Sequence, residues 1–416
     1  MVMTKTRCIA GVFAGLALLA TVNNAVAGET IRIAVIEMLS GPFAATGISL
    51  TNHLQMAIDD VNQAGTLPDG MKIEVVQFDD KGSPQEALLA LKRATDMDIR
   101  YVFHGLGTHI AHALLEAINK HNLRDPQRPS LYLNYSALDP ALTNEKCSFW
   151  HFRFVPHADM QLEALVRLLT TRKDLRKAYL INQDYAYGQG VSRVLREMLA
   201  QRMPDLQIVG DDLIPLGKVK DFAPYVAKIR ASEANVVLSS NWGSDLNLLV
   251  RAAEESGLPA VFYLLHAATT GTPTAIGAAG ANRLWTVTAW HANAGGRLES
   301  YDLEYRRRYG EEWNYVPPKA AVEMWARAIQ AAGSTDPTRV ARVLEGMRHD
   351  AGSGSLWMRP DDHQLMLPMY VAVWTRAGGP GVKHDVENTG YGFKTEMRLE
   401  AVDTTLPTTC RMQRPE

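Results

Sequence analysis

Eight residues suited to holding a small organic molecule occur in short segments that each follow a strand-like apolar run. They combine aromatic rings with hydroxyl groups and one imidazole: Phe43, Thr108, Tyr135, Ser136, Tyr185, Tyr187, Trp242 and His266. Aromatic walls with a few polar groups are typical of small-molecule sites. Each residue alone is more simply interpreted as a packing residue. Their recurrence after several strands favours a ligand site.

A glycine-rich turn gives a weaker signal, for a nucleotide. Gly105 and Gly107 follow a strand and open a helix, as in a dinucleotide fingerprint. Ile110 occupies the third glycine position, and no acidic residue ends a following strand at the required distance. We therefore expect no nucleotide cofactor.

Three histidines close in sequence raise the alternative of a metal site. His109 and His112 share one helix face, but His104 precedes the helix. They are better interpreted as polar loop and surface residues, so we expect no metal. The sequence contains neither G-x-S-x-G nor H-E-x-x-H, and we expect no catalytic site.

The strands before these loops alternate with amphipathic helices. In the first half, Ser83, Pro84 and Glu86 form a capping box that opens a helix running to about residue 97. Alternation of this kind predicts mostly parallel sheets with helices on both faces. Ligands bind beyond the carboxyl ends of such strands. The predicted strands of the first half cover 31–36, 71–78, 101–103 and 131–133.

A second α/β unit begins near residue 155. Its predicted strands cover 178–181, 206–209, 236–239, 261–264 and 284–289. Helical patterns follow at 299–309, 316–331 and 336–347, and late strands at 356–358 and 369–374. The chain after Arg376 is rich in glycine and threonine and is predicted to be irregular.

The overall composition is that of a folded globular protein. The chain has 416 residues, of which 46% are hydrophobic and 21% charged, and a formal net charge of −2. These values exclude a disordered or collagen-like chain. They also show no excess of positive charge of the kind that binds nucleic acid. The length predicts two or three domains.

The first 27 residues are typical of an export signal. Lys5 and Arg7 precede an apolar stretch at 9–22, and an A-x-A cleavage site ends at Ala27. The apolar stretch is too short to cross a ~30 Å hydrocarbon core. Cys8 precedes it and so cannot become a lipidated N-terminal cysteine. We expect a soluble, exported protein that begins at Gly28.

Removal of this segment leaves Cys147 and Cys410 as the two cysteines. In an oxidising compartment such a pair is a disulfide candidate, although two unrelated thiols remain the alternative. Zinc is disfavoured because the sequence contains no C-x-x-C.

Six stretches together resemble the periplasmic substrate-binding proteins of ABC-type branched-chain amino acid transporters, the leucine/isoleucine/valine-binding family. They occur in that family's order, from the first strand to past the middle of the chain. The stretches are I-R-I-A-V-I-E-M-L-S-G-P-F-A-A-T-G (31–47), F-H-G-L-G-T-H (103–109), N-Y-S-A-L-D-P-A-L-T (134–143), N-Q-D-Y-A-Y-G-Q-G (182–190), K-D-F-A-P-Y (220–225) and L-L-V-R-A-A-E-E-S-G-L (248–258).

The resemblance implies the type I periplasmic binding fold, an α/β fold of two Rossmann-like lobes with parallel sheets joined by three crossovers. The crossovers would lie near residues 154, 290 and 350. Lobe 1 would then comprise 28–153 plus 291–350, and lobe 2 would comprise 154–290 plus 351–385. Residues 386–416 would form a C-terminal tail. The sequence pattern alone indicates two contiguous halves instead.

The resemblance also implies roles for five residues. Thr108 lies where a hydroxyl and the N–H groups of a helix start hold a ligand carboxylate. Ser136 falls at a position that contacts the ligand largely through its backbone. Tyr187 matches a tyrosine that closes over the ligand from lobe 2. Trp242 would supply a further aromatic wall, and Phe43 would flank the pocket for the ligand's side chain.

Two positions depart from the family pattern. Where amino-acid-binding members have a threonine and a carboxylate that hold the ligand ammonium, this chain has Leu138 and His266. We therefore hypothesise a ligand without an α-ammonium, such as a small organic acid or an amide-like compound. Asp245 or Glu37 could instead supply the missing charge.

The resemblance implies a periplasmic solute-binding component of an ABC uptake transporter. It would be a monomer that captures a small-molecule ligand by closure of its lobes and delivers it to a membrane permease. Two alternatives remain at this point. One is a sensory receptor of the same fold that signals to a regulator, and the other is an exported enzyme with an active site in the cleft.

Overall fold

The computed structural model describes residues 1–3 and 29–415. The predicted export signal lies outside the described residues, except for its first three. No helix in the described part of the chain is long and apolar enough to cross a membrane.

The first sheet has five parallel strands in the order β2-β1-β3-β4-β5. Its central strands are buried apolar runs, as expected where helices cover both faces. Its strands are β1 (Thr30–Glu37), β2 (Lys72–Asp79), β3 (Tyr101–His104), β4 (Leu131–Asn134) and β5 (His151–Arg153). The intervening helices are α1 (Ala44–Ala64), α2 (Pro84–Asp96) and α3 (Thr108–Arg124).

Local signals fix the ends of several helices. Ser83 is the N-cap of α2, where its side chain accepts from the N–H of Glu86 and Pro84 occupies the first helical position. Gly65 ends α1 in the left-handed conformation, which glycine adopts without a Cβ clash. The helix predicted from the capping box at Ser83 is therefore confirmed.

A second set of alternating elements builds the other sheet. Its helices are α4 (Ala158–Leu169), α5 (Ala186–Arg202), α6 (Ala223–Ala231), α7 (Gly243–Glu255) and α8 (Thr272–Ile276). Its first five strands are β6 (Lys177–Gln183), β7 (Gln207–Ile214), β8 (Val236–Ser239), β9 (Val261–Leu264) and β10 (Leu284–Thr288).

Three helices follow β10 and return to the first sheet, where α10 packs against α1. They are α9 (Leu298–Tyr309), α10 (Val316–Ala332) and α11 (Pro337–Leu344). A small antiparallel sheet comes next, made of β11 (Arg348–Asp350), β12 (Ser355–Met358) and β13 (Leu365–Met366). A bridge between Arg153 and Gln364 joins this region to the end of β5.

The last two strands complete the second sheet, β14 (Met369–Arg376) and β15 (Tyr391–Leu399). This sheet has seven strands in the order β15-β14-β10-β9-β8-β6-β7, and β14 pairs antiparallel with both of its neighbours, β10 and β15. The predicted α/β fold with mainly parallel sheets is confirmed. The prediction that the chain after Arg376 is irregular is wrong, because β15 pairs with β14 along its length.

Candidate ligand-binding site

A cavity lies between the carboxyl ends of the two sheets. It encloses about 1010 Å³ of free space, including the part open to solvent. The loops after β3, β4, β6, β8 and β9 all contribute to its walls, as expected for ligand sites of parallel sheets. Among the described residues that line it, none is Asp, Glu, Lys or Arg. Its walls combine aliphatic, aromatic and neutral polar side chains and carry no permanent charge.

The start of α3 forms the part of the wall best suited to a negative charge. Gly107 is the N-cap, with φ +90°, and Thr108 is the first residue of the helix. The first N–H groups of a helix have no partner within it and favour anions. The Thr108 side chain lines the cavity, and the residue is 3% exposed. A carboxylate placed here would meet a hydroxyl and backbone donors together.

Glu37 lies directly beneath this segment, at the carboxyl end of β1. Its carboxyl group accepts from the hydroxyl of Tyr135 at 2.6 Å and from the N–H of Leu106 at 3.3 Å. A Cβ added to Gly105 would lie 2.7 Å from Glu37 Oε1, so this close approach requires glycine. Burial raises the pKa of Glu37 to about 8. The group is therefore mostly protonated at neutral pH and does not place a full negative charge below the site.

Replacement of Glu37 by glutamine is expected to change how stability depends on pH. The raised pKa means that the folded protein keeps a proton that the unfolded chain releases above pH 4.5. The contribution of Glu37 to stability is therefore present at low pH and declines as pH rises toward 8. Relative to Glu37→Gln, the wild-type free energy of unfolding should fall by at least about 1 kcal/mol between pH 5 and 8.

Chemical denaturation at several pH values measures this difference. Comparison with the variant cancels the opposite trend from buried histidines such as His104, whose pKa burial lowers to about 3. A difference between the two proteins that does not vary with pH would show that Glu37 is ionised in the folded state.

The second sheet contributes an aromatic wall made by the loops after β6 and β8. The indole N–H of Trp242 donates to the hydroxyl of Tyr185 at 2.9 Å. The rings of Tyr185 and Tyr187 have centroids 5.9 Å apart. Tyr187 and Trp242 are almost completely buried, at 2% and 6% exposure. These hydrogen bonds and contacts hold the rings in place before any ligand contact.

His266 follows β9 and lines the same cavity. Its Nε2 atom lies 2.8 Å from the hydroxyl of Tyr187. Burial lowers the pKa of His266 to about 4, so the ring is neutral at physiological pH. Leu138 lines the cavity from the first sheet and has no polar atom in its side chain. Neither residue supplies a negative charge.

Six of the eight predicted site residues line this one cavity: Thr108, Ser136, Tyr185, Tyr187, Trp242 and His266. The other two lie behind its walls. Tyr135 points down to Glu37 and is completely buried. Phe43 stacks on Trp242 with ring centroids 4.2 Å apart. Both contribute to the site through a neighbouring residue of the wall.

Phe43 joins the two sheets across the cleft. It follows β1, whereas its ring packs against the loops after β7 and β8. A Cβ added to Gly243 would lie 2.7 Å from Phe43 Cδ1, and one added to Gly217 would lie 3.0 Å from Cε2. The two glycines thus make room for the ring. A hydrogen bond of 3.0 Å between the hydroxyls of Ser49 and Thr270 spans the same cleft.

The three histidines considered for a metal site point to three different partners. His104 Nδ1 lies 2.8 Å from the hydroxyl of Tyr132, and His112 Nε2 lies 2.7 Å from Asp139 Oδ2. His109 Nε2 lies 3.4 Å from the carbonyl oxygen of Gly82. They share no common centre.

Several cavity residues escaped the sequence analysis. They come from α1, α4, the loop after β9 and the segment before α10, and they are Thr46, Ser49, Gln161, Thr269, Thr270, Asn314 and Tyr315. Asn314 and Tyr315 stand just before the Pro317-Pro318 start of α10. The only sequence signal that could have identified any of these residues is the polar and aromatic pair Asn314 and Tyr315 at the start of a predicted helix.

The predicted disulfide between Cys147 and Cys410 is present, with Cα atoms 5.6 Å apart. It fastens the chain after β15 to the region between β4 and β5. The N–H of Thr409 also donates to Asn144 Oδ1 at 3.0 Å, and Arg414 Nε donates to Glu345 Oε1 at 2.8 Å. The C-terminal segment thus runs from the second sheet onto elements that pack with the first.

Two α/β units that share a cavity, with the chain crossing between them after β5, after β10 and before β14, define a bilobal binding protein of the type I periplasmic class. The chain belongs to the periplasmic binding protein family, whose model matches residues 30–380.

Two relatives from Brucella show the extent of the similarity. The chain is 31% identical over 400 residues to Leu/Ile/Val-binding protein homolog 4 of Brucella abortus (strain 2308), covering 93% of this chain and 94% of that protein. The structure of the leucine-, isoleucine-, valine-, threonine-, and alanine-binding protein from Brucella ovis, in a closed conformation, matches with a TM-score of 0.83. That match has 29% identity and covers 93% of this chain and all of the other.

A solute-binding protein of an ABC transporter from R. palustris, in complex with 4-hydroxybenzoate, shares the fold. Its TM-score is 0.76 at 16% identity, and the match covers 89% of this chain and 97% of that one.

Proposed function

We propose that this protein is the periplasmic solute-binding component of an ABC importer. It captures a small amino acid, organic acid or amide and delivers it to a membrane permease. The observation that carries the proposal is the cavity, whose uncharged polar and aromatic walls come from both sheets. The names of its relatives support the assignment, since they include a Leu/Ile/Val-binding homolog and a 4-hydroxybenzoate complex. In this role the protein makes and breaks no bond of its ligand.

Capture depends on closure of two lobes around the ligand. We assign residues 28–153 and 291–350 to one lobe, and 154–290 and 351–385 to the other, with β15 of the C-terminal segment added to the second. A ligand that contacts both lobes stabilises the closed state and shifts the population toward it. The closed form then presents both lobes to the permease.

A thermal-shift screen of the exported protein, residues 28–416, tests the proposal. The panel holds branched-chain and polar amino acids, aromatic and aliphatic carboxylates, and small amides. A ligand at 100 times its Kd stabilises by ~2.7 kcal/mol, which raises the Tm by a few degrees. Lack of any shift across the panel would contradict the proposal. The N-terminal sequence of the periplasmic protein should begin at Gly28, which tests export and cleavage after Ala27.

Replacement of Phe43 by alanine is expected to weaken binding of every ligand by a similar factor. The Phe43 ring packs on Trp242 and against Gly243, a contact between lobes that separation would break. Loss of roughly 2 kcal/mol from the closed state corresponds to a Kd about 30-fold higher. Isothermal titration calorimetry measures the change.

Phe43→Leu, which keeps an apolar side chain of moderate size, should recover part of the affinity. A uniform loss across ligands supports a contact between lobes. A change in the ranking of ligands would instead show that Phe43 touches the ligand directly.

A further inference from the structure

We infer that the ligand of this cavity is a carboxylate with an apolar or aromatic body and no ammonium group. The inference rests on the proposed solute-binding function and narrows it from amino acids, acids and amides to one class. The argument has two parts: one part of the cavity wall favours a negative charge, and the rest of the wall has no group that balances a positive charge.

One place in the wall attracts an anion. Gly107 and Thr108, at the start of the 17-residue helix α3, line the cavity, and the first N–H groups of a helix favour anions. Thr108 supplies a second, independent observation. Its residue is 3% exposed and lines the cavity, yet its hydroxyl makes no hydrogen bond to any of the described residues. The hydroxyl opens to the cavity, where it can donate a hydrogen bond to a ligand or accept one from it.

Among the described residues that line the cavity, none is a carboxylate that could pair with a cation. The polar ones, such as Gln161 and Asn314, offer neutral acceptors only. A buried ammonium needs a carboxylate or several acceptors to offset its lost hydration. The nearby carboxyl groups of Glu37 and Asp245 lie behind the walls. Asp245 Oδ1 has no hydrogen-bond partner among the described residues, but neither residue lines the cavity. Glu37 accepts from Tyr135 and Leu106 beneath Gly105. Asp245 accepts from Gln183 Nε2 and from the N–H of Gly217, each at 2.8 Å.

The side of the cavity formed by Leu138 and His266 is uncharged. Leu138 offers no hydrogen-bonding atom, and His266 is a neutral ring that shares a hydrogen bond with Tyr187. A neutral imidazole and a phenol can donate to a hydroxyl or keto oxygen of a ligand. They cannot balance the charge of an ammonium group.

Matched ligand pairs that differ at one substituent give the direct test. The first series is L-leucine, (S)-2-hydroxy-4-methylpentanoate and 4-methyl-2-oxopentanoate. The second is L-phenylalanine, 3-phenyllactate and phenylpyruvate. Calorimetry should give a Kd for the hydroxy or keto acid that is at least about 10-fold lower than that of its amino acid. Equal or tighter binding of the amino acid overturns the inference and leaves the proposed function standing.

Other outcomes distinguish a failure of this inference from a failure of the proposed function. Binding of amides or amines alone also overturns the inference, because these compounds lack a carboxylate. The proposed function would stand, because the protein would still capture a solute. Lack of binding by any compound, in these series and in the wider panel, overturns the proposed function and the inference with it.

A pair of variants tests the assignment of the uncharged side. His266→Glu, combined with Leu138→Thr, adds an anion and an acceptor and should move the preference toward the amino acid by at least about 10-fold. His266→Gln with Leu138→Thr is the matched control, because it has the same acceptor but no charge. If both double variants change the ratio of the two Kd values, for the amino acid and for its hydroxy or keto analogue, by the same factor, then the absence of a negative charge is not what excludes the ammonium group. Circular dichroism confirms that each variant is folded.

Discussion

Replacement of both Cys147 and Cys410 by serine should lower the free energy of unfolding by about 5 kcal/mol. The disulfide closes a loop with a sequence separation of 263 residues. On the chain-entropy model, so long a loop restricts the unfolded chain strongly, and a bond of this span contributes ~5 kcal/mol. Denaturant titration of the oxidised wild-type protein and the double serine variant measures the loss.

The reduced wild-type protein serves as the control for the substitutions themselves. It should unfold at the same denaturant concentration as the double serine variant, and reductant should not affect that variant further. A loss below about 1 kcal/mol would mean that the unfolded chain keeps its ends close without the bond. Contacts such as Thr409 with Asn144 remain in both proteins and hold the C-terminal segment in place.

Replacement of Gly188 by alanine should damage the binding site and the fold together. A Cβ at this position would lie 2.0 Å from the carbonyl oxygen of Gln183, which is too close for any relaxed structure. The start of α5 must then move away from β6 and carry Tyr187 with it. We expect a stability loss of roughly 1–3 kcal/mol from overpacking. We also expect at least about a 10-fold loss of ligand affinity, because Tyr187 can no longer keep its bond to His266.

Gly190→Ala provides a matched control two residues along the same helix. A Cβ at Gly190 would have no other atom within 4 Å. Alanine favours a helix over glycine by up to about 1 kcal/mol, so this variant should be neutral or slightly stabilised. Thermal melts measure the stability of both variants, and calorimetry measures their ligand affinity. Equal stability and equal ligand affinity of the two variants would show that α5 does not pack closely against the end of β6.

The strands and helices that the sequence predicted are those with strong local signals. The buried strands β3 and β8 are short apolar runs, and α2 begins at a capping box. The loops that follow such strands could also be located, because parallel strands end at one edge of a sheet. This is why six of the predicted site residues meet in one cavity.

The strand β15 was missed because it lies at the edge of its sheet. One of its faces is solvent-exposed and carries Lys394, Glu396 and Arg398, so its sequence lacks a continuous apolar run. Charged side chains are common on edge strands, where they prevent pairing with other chains. Pairing with β14 stabilises it, and that contact cannot be recognised from the sequence of β15 alone.

The side-chain positions of Tyr135 and Phe43 depend on contacts with residues distant in the sequence, which the spacing of residues along the chain does not reveal. Tyr135 and Ser136 are neighbours on one loop, yet only Ser136 lines the cavity, because the tyrosine side chain is drawn to Glu37. Phe43 follows β1, whereas Trp242 follows β8 in the other sheet, so their contact joins segments that are far apart in the sequence. Asn314 and Tyr315 reach the cavity from a segment far along the chain, so no local pattern connects them to it.

The disulfide also sets an order of events during synthesis. Cys147 precedes its partner Cys410 by 263 residues, so its thiol emerges first during synthesis. At ~5–20 residues per second, the first thiol waits for roughly 13 to 50 s before the second exists. Cys147 therefore has no partner for this bond until Cys410 has been made. Closure of the bond marks a chain whose final strand, β15, has already been made.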